Sequence, residues 1–308
     1  MNKANSNTSD LAFLKVIARY IKSWLIFFNE RFSPLTHIPM IVLFCFGTAT
    51  FIDLRENLPK IYASVLAFLF FFRLRLFDEI KDYELDIVIN PTRPLPRGLL
   101  STTDLKFGII ICTASEYFFL HSFLPESFRF WLLATIWSFF MYKEFFISSL
   151  IKPHLTTYAT THTFVTLPLT LSLISGMNEN ATIQENDLYV AIGAWFVFNI
   201  FELGRKIFTK EEERSEIESY SKIWGQSGSV ILVLTHSLLA TLAFIHAYPF
   251  FTTTLPLYIP SIILTVSGLF FLFSKNSKRG SIYRLSSSIY IILIYLLLTV
   301  SPYMGSHL

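Results

Sequence analysis

The chain has 308 residues, of which 53% are apolar, 17% aromatic and only 15% charged. Soluble proteins carry roughly 25% charged residues, so this sequence lacks the side chains that form a water-exposed surface. The composition excludes a disordered chain, a nucleic-acid-binding protein and a secreted disulfide scaffold. Both cysteines, Cys45 and Cys112, lie inside apolar runs and form no redox or zinc motif. We therefore predict an all-α, polytopic membrane protein.

The first 33 residues form a separate segment ahead of the apolar core. Within 11–28, Lys15, Arg19 and Lys22 recur at helical spacing, opposite an apolar face that includes Leu14 and Trp24. A helix with this pattern lies in the membrane interface rather than crossing the bilayer. We predict that 1–33 is a cytoplasmic tail with an interfacial amphipathic helix.

The rest of the chain contains nine apolar segments, each close to the 20 or so residues that cross a bilayer as a helix. They are 34–52, 59–77, 105–124, 127–148, 157–175, 188–204, 228–248, 255–273 and 283–301. The pattern predicts a domain of nine transmembrane helices over 34–301, followed by a short non-cytoplasmic tail at 302–308. If nine helices cross, 22 of the 25 Lys and Arg residues lie on one side of the membrane. The positive-inside rule then places the N-terminus in the cytoplasm, and we favour a bacterial inner membrane.

An acidic motif follows the second apolar segment. Asp78, Asp82 and Asp86 are four residues apart, so on an α-helix they share one face. Like charges repel there, and the end of the preceding helix further disfavours anions. Bound Mg²⁺ would remove both penalties, because carboxylate oxygens are the ligands it prefers.

A proline-punctuated loop continues this motif and carries two guanidinium groups, Arg93 and Arg97. Carboxylates beside paired arginines are typical of a site that clamps a metal ion and a diphosphate. The alternative is a solvated acidic helix end whose charges are balanced by Arg73, Arg75 and Lys81.

A second polar cluster follows the sixth apolar segment. Asn199, Glu202 and Lys206 lie within reach of one another at the end of a helix, and a Glu-rich run follows at 211–213. The charge count places both acidic clusters on the same side of the membrane, where together they would hold two Mg²⁺ ions. Taken alone, a run of glutamates indicates only a solvated surface, which is what we predict for Glu216 and Glu218.

Several polar residues lie within the predicted spans. Lys143 would reach a diphosphate, or it is a lysine that extends to the interface. Tyr158 and His162 would line an acceptor pocket, or they provide packing and hydrogen bonds between helices. Glu116 has no partner that the sequence identifies.

The two motifs resemble those of the UbiA superfamily of intramembrane prenyltransferases, and the likeness extends from about Arg31 to the end of the chain. That family has nine helices and two aspartate-rich motifs, the first of the form Asn-Asp-x-x-Asp-x-x-x-Asp before Arg-Pro-x-Pro-x-Gly. Here the sequence reads Asp78-Glu79-Ile-Lys-Asp82-Tyr-Glu-Leu-Asp86, then Arg93-Pro94-Leu95-Pro96-Arg97-Gly98. The second motif departs further, because Glu202 and then Arg205-Lys206 stand where the family has aspartates. This departure indicates a divergent branch.

The resemblance implies nine helices around a cavity open to the cytoplasm and laterally to the membrane. It also implies Mg²⁺-dependent transfer of a prenyl group from an allylic prenyl diphosphate to an aromatic or other lipid-soluble acceptor. The implied metal ligands are Asp78, Asp82, Asp86, Glu202 and Glu212, with Glu213 as the alternative to Glu212. The implied catalytic residues are Asp78, Asp82, Arg97, Arg205 and Lys206. The implied substrate-binding residues are Arg93, Lys143, Tyr158, His162, Asn199 and Tyr220.

Two other functions remain open at this point. An intramembrane terpene cyclase of the same superfamily would ionise the same diphosphate and then close the prenyl chain on itself. A small-anion transporter would use the charged loops as a gate, although transporters commonly bind their substrates near the middle of the membrane.

Overall fold

The computed structural model describes residues 3–52, 54–178, 182–214, 218–247, 255–274 and 276–304, which form helices joined by turns and loops, with no strand among them. Side chains are described from residue 13 onward in the first helix. The described α-helices are α1 (Lys3–Arg31), α2 (Pro34–Ala49), α3 (Asn57–Lys81), α4 (Tyr83–Ile89), α5 (Thr102–Phe123), α6 (Phe128–Tyr142), α7 (Ser148–Ile151), α8 (Leu155–Thr163), α9 (Thr166–Met177), α10 (Glu185–Gly204), α11 (Tyr220–Ala247), α12 (Ile259–Ser274) and α13 (Ser277–Met304). Short 3₁₀ turns occupy Thr50–Ile52, Pro125–Ser127, Glu144–Phe146 and Leu255–Tyr258.

Each of the nine predicted apolar segments coincides with one or more of these helices. Two differ in detail: 127–148 is cut short where α6 ends at Tyr142, and 157–175 is divided into α8 and α9. Among the described residues, five helical segments are long and apolar enough to cross a membrane, namely Pro34–Ile52, Glu185–Gly204, Tyr220–Ala247, Pro256–Phe273 and Ser277–Ser301. The fold is therefore that of a polytopic membrane protein, while nine crossings remain a prediction. Residues 302–304 continue α13, and the remainder of the predicted tail lies outside the described residues.

The chain divides into two compact units. The first comprises Met1–Ile38 and Phe68–Phe118, and the second comprises Pro39–Ala67 and Phe119–Leu308. In the first unit, phenylalanines of α1 pack against those of α3: the Phe28 ring lies 5.9 Å from that of Phe68 and 5.5 Å from that of Phe72. The Trp24 ring covers Gly108 of α5 so closely that a Cβ there would lie 2.7 Å from it. These contacts hold α1 against α3 and α5.

A fully buried ion pair joins α3 and α5 within the first unit. Arg73 donates from Nε to Glu116 Oε1 at 2.7 Å and from Nη2 to Oε2 at 3.0 Å, and both side chains are 0% exposed. The guanidinium also lies 4.6 Å from the centre of the Phe70 ring, which adds a cation–π contact. The structure thus gives Glu116 the partner that the sequence did not identify. Because Arg73 is paired with Glu116, it is not one of the cations that would balance the acidic residues at the end of α3.

The second unit is organised around α10, which packs against α8, α9, α11 and α13. Two glycines of α10 permit this close packing. A Cβ at Gly193 would lie 2.5 Å from the Phe244 ring of α11, and one at Gly204 would lie 2.2 Å from Ser287 of α13. Gly204 ends α10 next to the second polar cluster, so its contact with α13 fixes the position of that cluster.

Candidate active site

The first acidic motif spans the junction of α3 and α4. The backbone N–H groups of Asp82, Asp86 and Asn90 each donate to the carbonyl four residues earlier, all at 2.9 Å. The chain therefore stays helical through the motif and presents the three aspartates on consecutive turns. Asp78 and Asp82 are exposed or half-exposed, whereas Asp86 is buried.

Asp86 is neutralised by the loop that follows it. Arg93 Nη1 donates to both carboxylate oxygens of Asp86, at 2.6 and 2.5 Å, and Asn90 Nδ2 donates at 2.9 Å. Charge-assisted hydrogen bonds of this kind are about twice as strong as neutral ones. The Asp86–Arg93 contact therefore folds the proline-rich loop back over α4, and it brings the predicted arginine beside the predicted metal ligand.

The other arginine of the loop contacts the N-terminal helix. Arg97 donates to both oxygens of Glu30 in α1, at 2.9 and 2.8 Å, and to the carbonyl of Thr92 at 2.7 Å. The Arg97 hydrogen bond holds the pKa of Glu30 below its ordinary value, and Glu30 in turn raises the pKa of Arg97. Sequence reasoning did not single out Glu30, because 67 residues separate it from Arg97.

Charges next to the three aspartates are balanced in part by lysine and arginine. Lys81 Nζ lies 3.8 Å from Asp78, and the buried carboxylate of Glu79 accepts from Arg31 at 2.7 Å and from Arg75 at 2.6 Å. The Asp82 side chain is exposed but crowded by the helix junction. Desolvation raises its pKa, the Lys81 ammonium lowers it, and the carboxylates of Asp78 and Asp86 raise it again. The net shift of the Asp82 pKa is upward; desolvation is its largest cause, and the like-charge repulsion that the spacing predicts adds to it.

The second cluster lies where α10 ends. Glu202 accepts from Arg205 at 2.7 Å and 2.6 Å, and Lys206 Nζ lies 3.1 Å from its other oxygen. Asn199, one turn earlier, is fully buried and accepts through Oδ1 from the Thr163 hydroxyl of α8 at 2.5 Å. Its Nδ2 group has no hydrogen-bond partner in the described structure. A buried amide with unused donors is costly, so this position suits an added acceptor such as a phosphate oxygen.

Tyr220 begins α11 beside this cluster. Its backbone N–H donates to the Lys206 carbonyl at 3.2 Å, and its ring interacts electrostatically with Glu202 and Arg205. The Tyr220 side chain is fully buried, and its hydroxyl has no hydrogen-bond partner in the described structure. Gly225, with φ of 67°, bends the helix one turn later. The structure therefore brings together five of the predicted site residues at one end of the second unit: Asn199, Glu202, Arg205, Lys206 and Tyr220.

The loop after α10 is held by glutamates. Glu212 accepts from Arg284 of α13 at 2.7 and 3.0 Å and from the backbone N–H of Thr209 at 3.0 Å. Glu213 accepts from the hydroxyls of Ser219 and Ser221. An open cavity of about 610 Å³ is lined by Phe208, Glu211, Glu212, Glu213, Arg214 and Arg284. Metal binding by Glu212 stays a prediction, and its observed contact is with Arg284. Glu218 is exposed, as expected for a solvated residue, and Glu216 lies outside the described residues.

The Glu212–Arg284 contact predicts a pH-dependent loop. The Arg284 hydrogen bond holds the pKa of Glu212 below its ordinary value of 4.5, so the contact stabilises the fold fully above that value and is lost as pH falls through the lower one. Glu212→Gln should cost about 1–2 kcal/mol at neutral pH and speed tryptic cleavage at the exposed Lys210. The difference in unfolding free energy between wild type and variant should shrink as the pH falls below 4.5 and vanish once it is below the lowered pKa of Glu212. A difference that stays constant through acid titration of the carboxylate would show that Glu212 does not act through its charge.

Lys143 and the turn after it lie at the end of α6. Lys143 is exposed with its Nζ 5.0 Å from the Tyr142 ring, as expected for a lysine that extends to the interface. The next three residues, Glu144, Phe145 and Phe146, have φ of 51°, 52° and 58°. This left-handed backbone costs roughly 1–2 kcal/mol for each non-glycine residue. The turn directs the Glu144 carboxylate inward, where it is buried.

Glu144 contacts both residues that were predicted to line an acceptor pocket. The Tyr158 hydroxyl donates to Glu144 Oε1 at 3.0 Å, and His162 Nε2 lies 3.8 Å from Oε2. The two rings of α8 lie 3.9 Å apart. Sequence reasoning missed Glu144, because no glycine, asparagine or proline at 144–146 marks the left-handed turn.

The donor set of the first motif suits a hard cation. Among the residues that the structure describes, no three His, Cys, Asp or Glu side chains already form a metal cluster. The three aspartates nevertheless supply carboxylate oxygens on successive turns. Desolvation is the largest cause of the raised pKa of Asp82, and Asp78 and Asp86 add a repulsion that a cation would relieve. Asp78, Asp82 and Asp86 therefore fit Mg²⁺ by chemistry.

No family model matches this sequence, and no curated protein matches it either. A solved structure of digeranylgeranylglyceryl phosphate synthase is similar to this chain, with a TM-score of 0.62 over 90% of this chain and 98% of the synthase. The two sequences are 15% identical, so the similarity is one of fold. That synthase is a UbiA-superfamily intramembrane prenyltransferase. The all-helical membrane fold that the resemblance implies is thereby confirmed, and the count of nine helices stays a prediction.

Proposed function

We propose that this chain, which has the fold of an intramembrane prenyltransferase, transfers a prenyl group from an allylic prenyl diphosphate to an aromatic or other lipid-soluble acceptor. The observation that carries the proposal is the first motif. Three carboxylates follow one another on consecutive helical turns, and Arg93 and Arg97 lie on the adjoining loop. Such a surface binds a metal-complexed diphosphate, whereas a simple solvated helix end needs no ordered arginine loop.

The arginines supply the charge stabilisation. Arg97 is exposed and Arg93 half-exposed, so both reach diphosphate oxygens by exchanging carboxylate for phosphate partners. Negative charge grows on the diphosphate as the bond to the prenyl carbon breaks, so their contacts strengthen in the transition state. Mg²⁺ held by Asp78, Asp82 and Asp86 would neutralise further charge on the same oxygens.

The second cluster has donors for the same kind of group. Arg205 and Lys206 are oriented by Glu202, and the unused donors of Asn199 and Tyr220 lie close by. We propose that these groups bind anionic substrate oxygens and that Glu202 holds a second Mg²⁺ ion. Bound substrate would then satisfy the buried amide and hydroxyl.

The test is an assay of the full-length protein in lipid vesicles. Radiolabelled allylic diphosphates of roughly 10 to 20 carbons, a range that a bilayer-sized helix bundle can hold, are supplied with a host lipid extract as the acceptor pool. We expect diphosphate release that requires Mg²⁺ and label on a larger lipid product. Asp82→Ala should abolish release, and Glu84→Gln, an exposed carboxylate on the same helix, should leave it unchanged.

Other outcomes separate the alternatives. Label in a free hydrocarbon or alcohol would favour cyclisation over transfer. No release at any chain length, or release unaffected by Asp82→Ala, would contradict the proposed site.

A further inference from the structure

The Glu144 turn combines strained backbone with a buried carboxylate. Three consecutive non-glycine residues adopt left-handed backbone, and the carboxylate that they turn inward is buried. Strained backbone persists where the surrounding structure holds it in place, and it concentrates at functional sites. The contacts of that carboxylate are with a tyrosine, a histidine and, at 3.9 Å, the ammonium of Lys152.

The protonation of His162 follows from its backbone contact. Nδ1 lies 2.7 Å from the carbonyl oxygen of Tyr158, and a carbonyl only accepts, so Nδ1 carries a hydrogen. In the neutral ring Nε2 is then the basic nitrogen, and it faces Glu144 Oε2 at 3.8 Å. The contact at Nδ1 fixes the orientation of the ring, and the carboxylate near Nε2 stabilises the protonated form. A histidine in this environment is suited to accept a proton.

This pair lies next to the second cluster. Thr163, the residue after His162, donates to Asn199 Oδ1 at 2.5 Å, and the Tyr220 backbone N–H of the same cluster donates to the Lys206 carbonyl at 3.2 Å. A substrate held by that cluster is therefore close to a proton acceptor within the same unit.

We infer that the acceptor substrate carries a hydroxyl group and that His162 removes its proton, with Glu144 as the positioning residue that stabilises the imidazolium. This inference rests on the proposed function. The acceptor oxygen forms a bond to the first carbon of the prenyl group, and the bond from that carbon to the diphosphate breaks. The electron pair of the broken bond leaves with the diphosphate. The proton passes to His162 Nε2, and its bonding electrons stay on the oxygen.

The first test replaces the base and keeps its structural contact. His162→Asn retains an N–H that can donate to the Tyr158 carbonyl but has no basic nitrogen. We expect transfer to fall by about 10²–10⁴-fold, with thermal stability and diphosphate binding unchanged. The matched control is His236→Asn, because His236 Nδ1 makes the same bond, to the Leu232 carbonyl at 2.8 Å, in α11. The control should transfer at the wild-type rate.

The second test uses the pH–rate curve, which a purely structural role would not shift. The titratable groups that the structure places around His162 are Glu144 from the turn, Tyr158 from its own helix and Lys152 beside Glu144, with Tyr220 beyond Tyr158. Wild-type transfer should rise with pH as the imidazole becomes neutral. Glu144→Gln keeps an acceptor for the Tyr158 hydroxyl but removes the charge, so the rise should move to lower pH and reach a lower plateau.

The acceptor class is tested with acetylated lipid extract, in which hydroxyls are blocked. Labelled product should form with untreated extract and disappear with acetylated extract. Equal product from both extracts would overturn the inference, and so would an unchanged rate and pH–rate curve in His162→Asn. In either case, Mg²⁺-dependent transfer by the wild type would still support the proposed function. Absence of transfer by the wild type would overturn both.

Discussion

Replacing Arg73 with methionine should cost about 3–5 kcal/mol of stability, the largest effect we expect from any single substitution in the first unit. The variant would leave the Glu116 carboxylate buried without its cation, and both side chains are 0% exposed. Glu116→Met should be equally damaging, because it leaves the guanidinium uncompensated. Reversible unfolding in mixed micelles measures the loss.

The double variant Arg73→Met/Glu116→Met distinguishes the net stabilisation by the ion pair from the cost of burying one charge without its partner. Apolar replacement of a buried ion pair is often neutral or stabilising, so the double variant should recover most of the loss. Arg97→Met is the matched control, since Arg97 makes a similar two-bond contact with Glu30 in an exposed position. Exposed pairs contribute about 0–1 kcal/mol. Similar losses for Arg73→Met and Arg97→Met would contradict the role of burial.

Glu202→Gln should raise the Mg²⁺ concentration needed for half-maximal diphosphate release by about 10- to 100-fold, the effect usual for a changed metal environment. The substitution removes a carboxylate charge while preserving the size of the side chain. Glu202 contacts both Arg205 and Lys206, so it either binds Mg²⁺ or only orients these two cations. The measurement distinguishes the two roles. If it only orients those cations, the KM for diphosphate rises and the Mg²⁺ requirement does not change.

Glu218→Gln is the control for this measurement. Glu218 is an exposed carboxylate on the loop that follows the same helix, so its loss changes the local charge equally. It should leave the Mg²⁺ requirement at the wild-type value. A similar shift in both variants would indicate a general charge effect and would contradict metal binding by Glu202.

Hydropathy predicted the helical segments because each apolar run must satisfy its backbone hydrogen bonds internally. It could not predict where helices break without a glycine or proline. The end of α6 depends on left-handed residues at 144–146, and their conformation is set by the contacts of the Glu144 carboxylate with α8. Nor does hydropathy show which helix faces meet, so the pairing of Arg73 with Glu116 needed the three-dimensional structure.

The candidate site was predictable to the extent that its residues are neighbours in sequence. Asp78, Asp82 and Asp86 lie on successive turns as their spacing requires, and Glu202 contacts Lys206 one turn later. Contacts between distant segments carried no such signal. The partner of Arg97 is in α1 and that of Glu212 is in α13, and nothing in the local sequence identifies either.

If α3 and α5 cross the membrane, as the sequence predicts, the Arg73–Glu116 pair also bears on how they are inserted. A helix that inserts alone with a charged residue at its centre is penalised by roughly 2.5–3.5 kcal/mol. Once Arg73 donates to Glu116, each charge is neutralised by the other, so α3 and α5 are more readily inserted together than in succession. The 20-residue connection between them, 82–101, carries Asp82, Asp86, Arg93 and Arg97. Biogenesis of this helical hairpin would therefore deliver the first motif to the membrane surface in a single event.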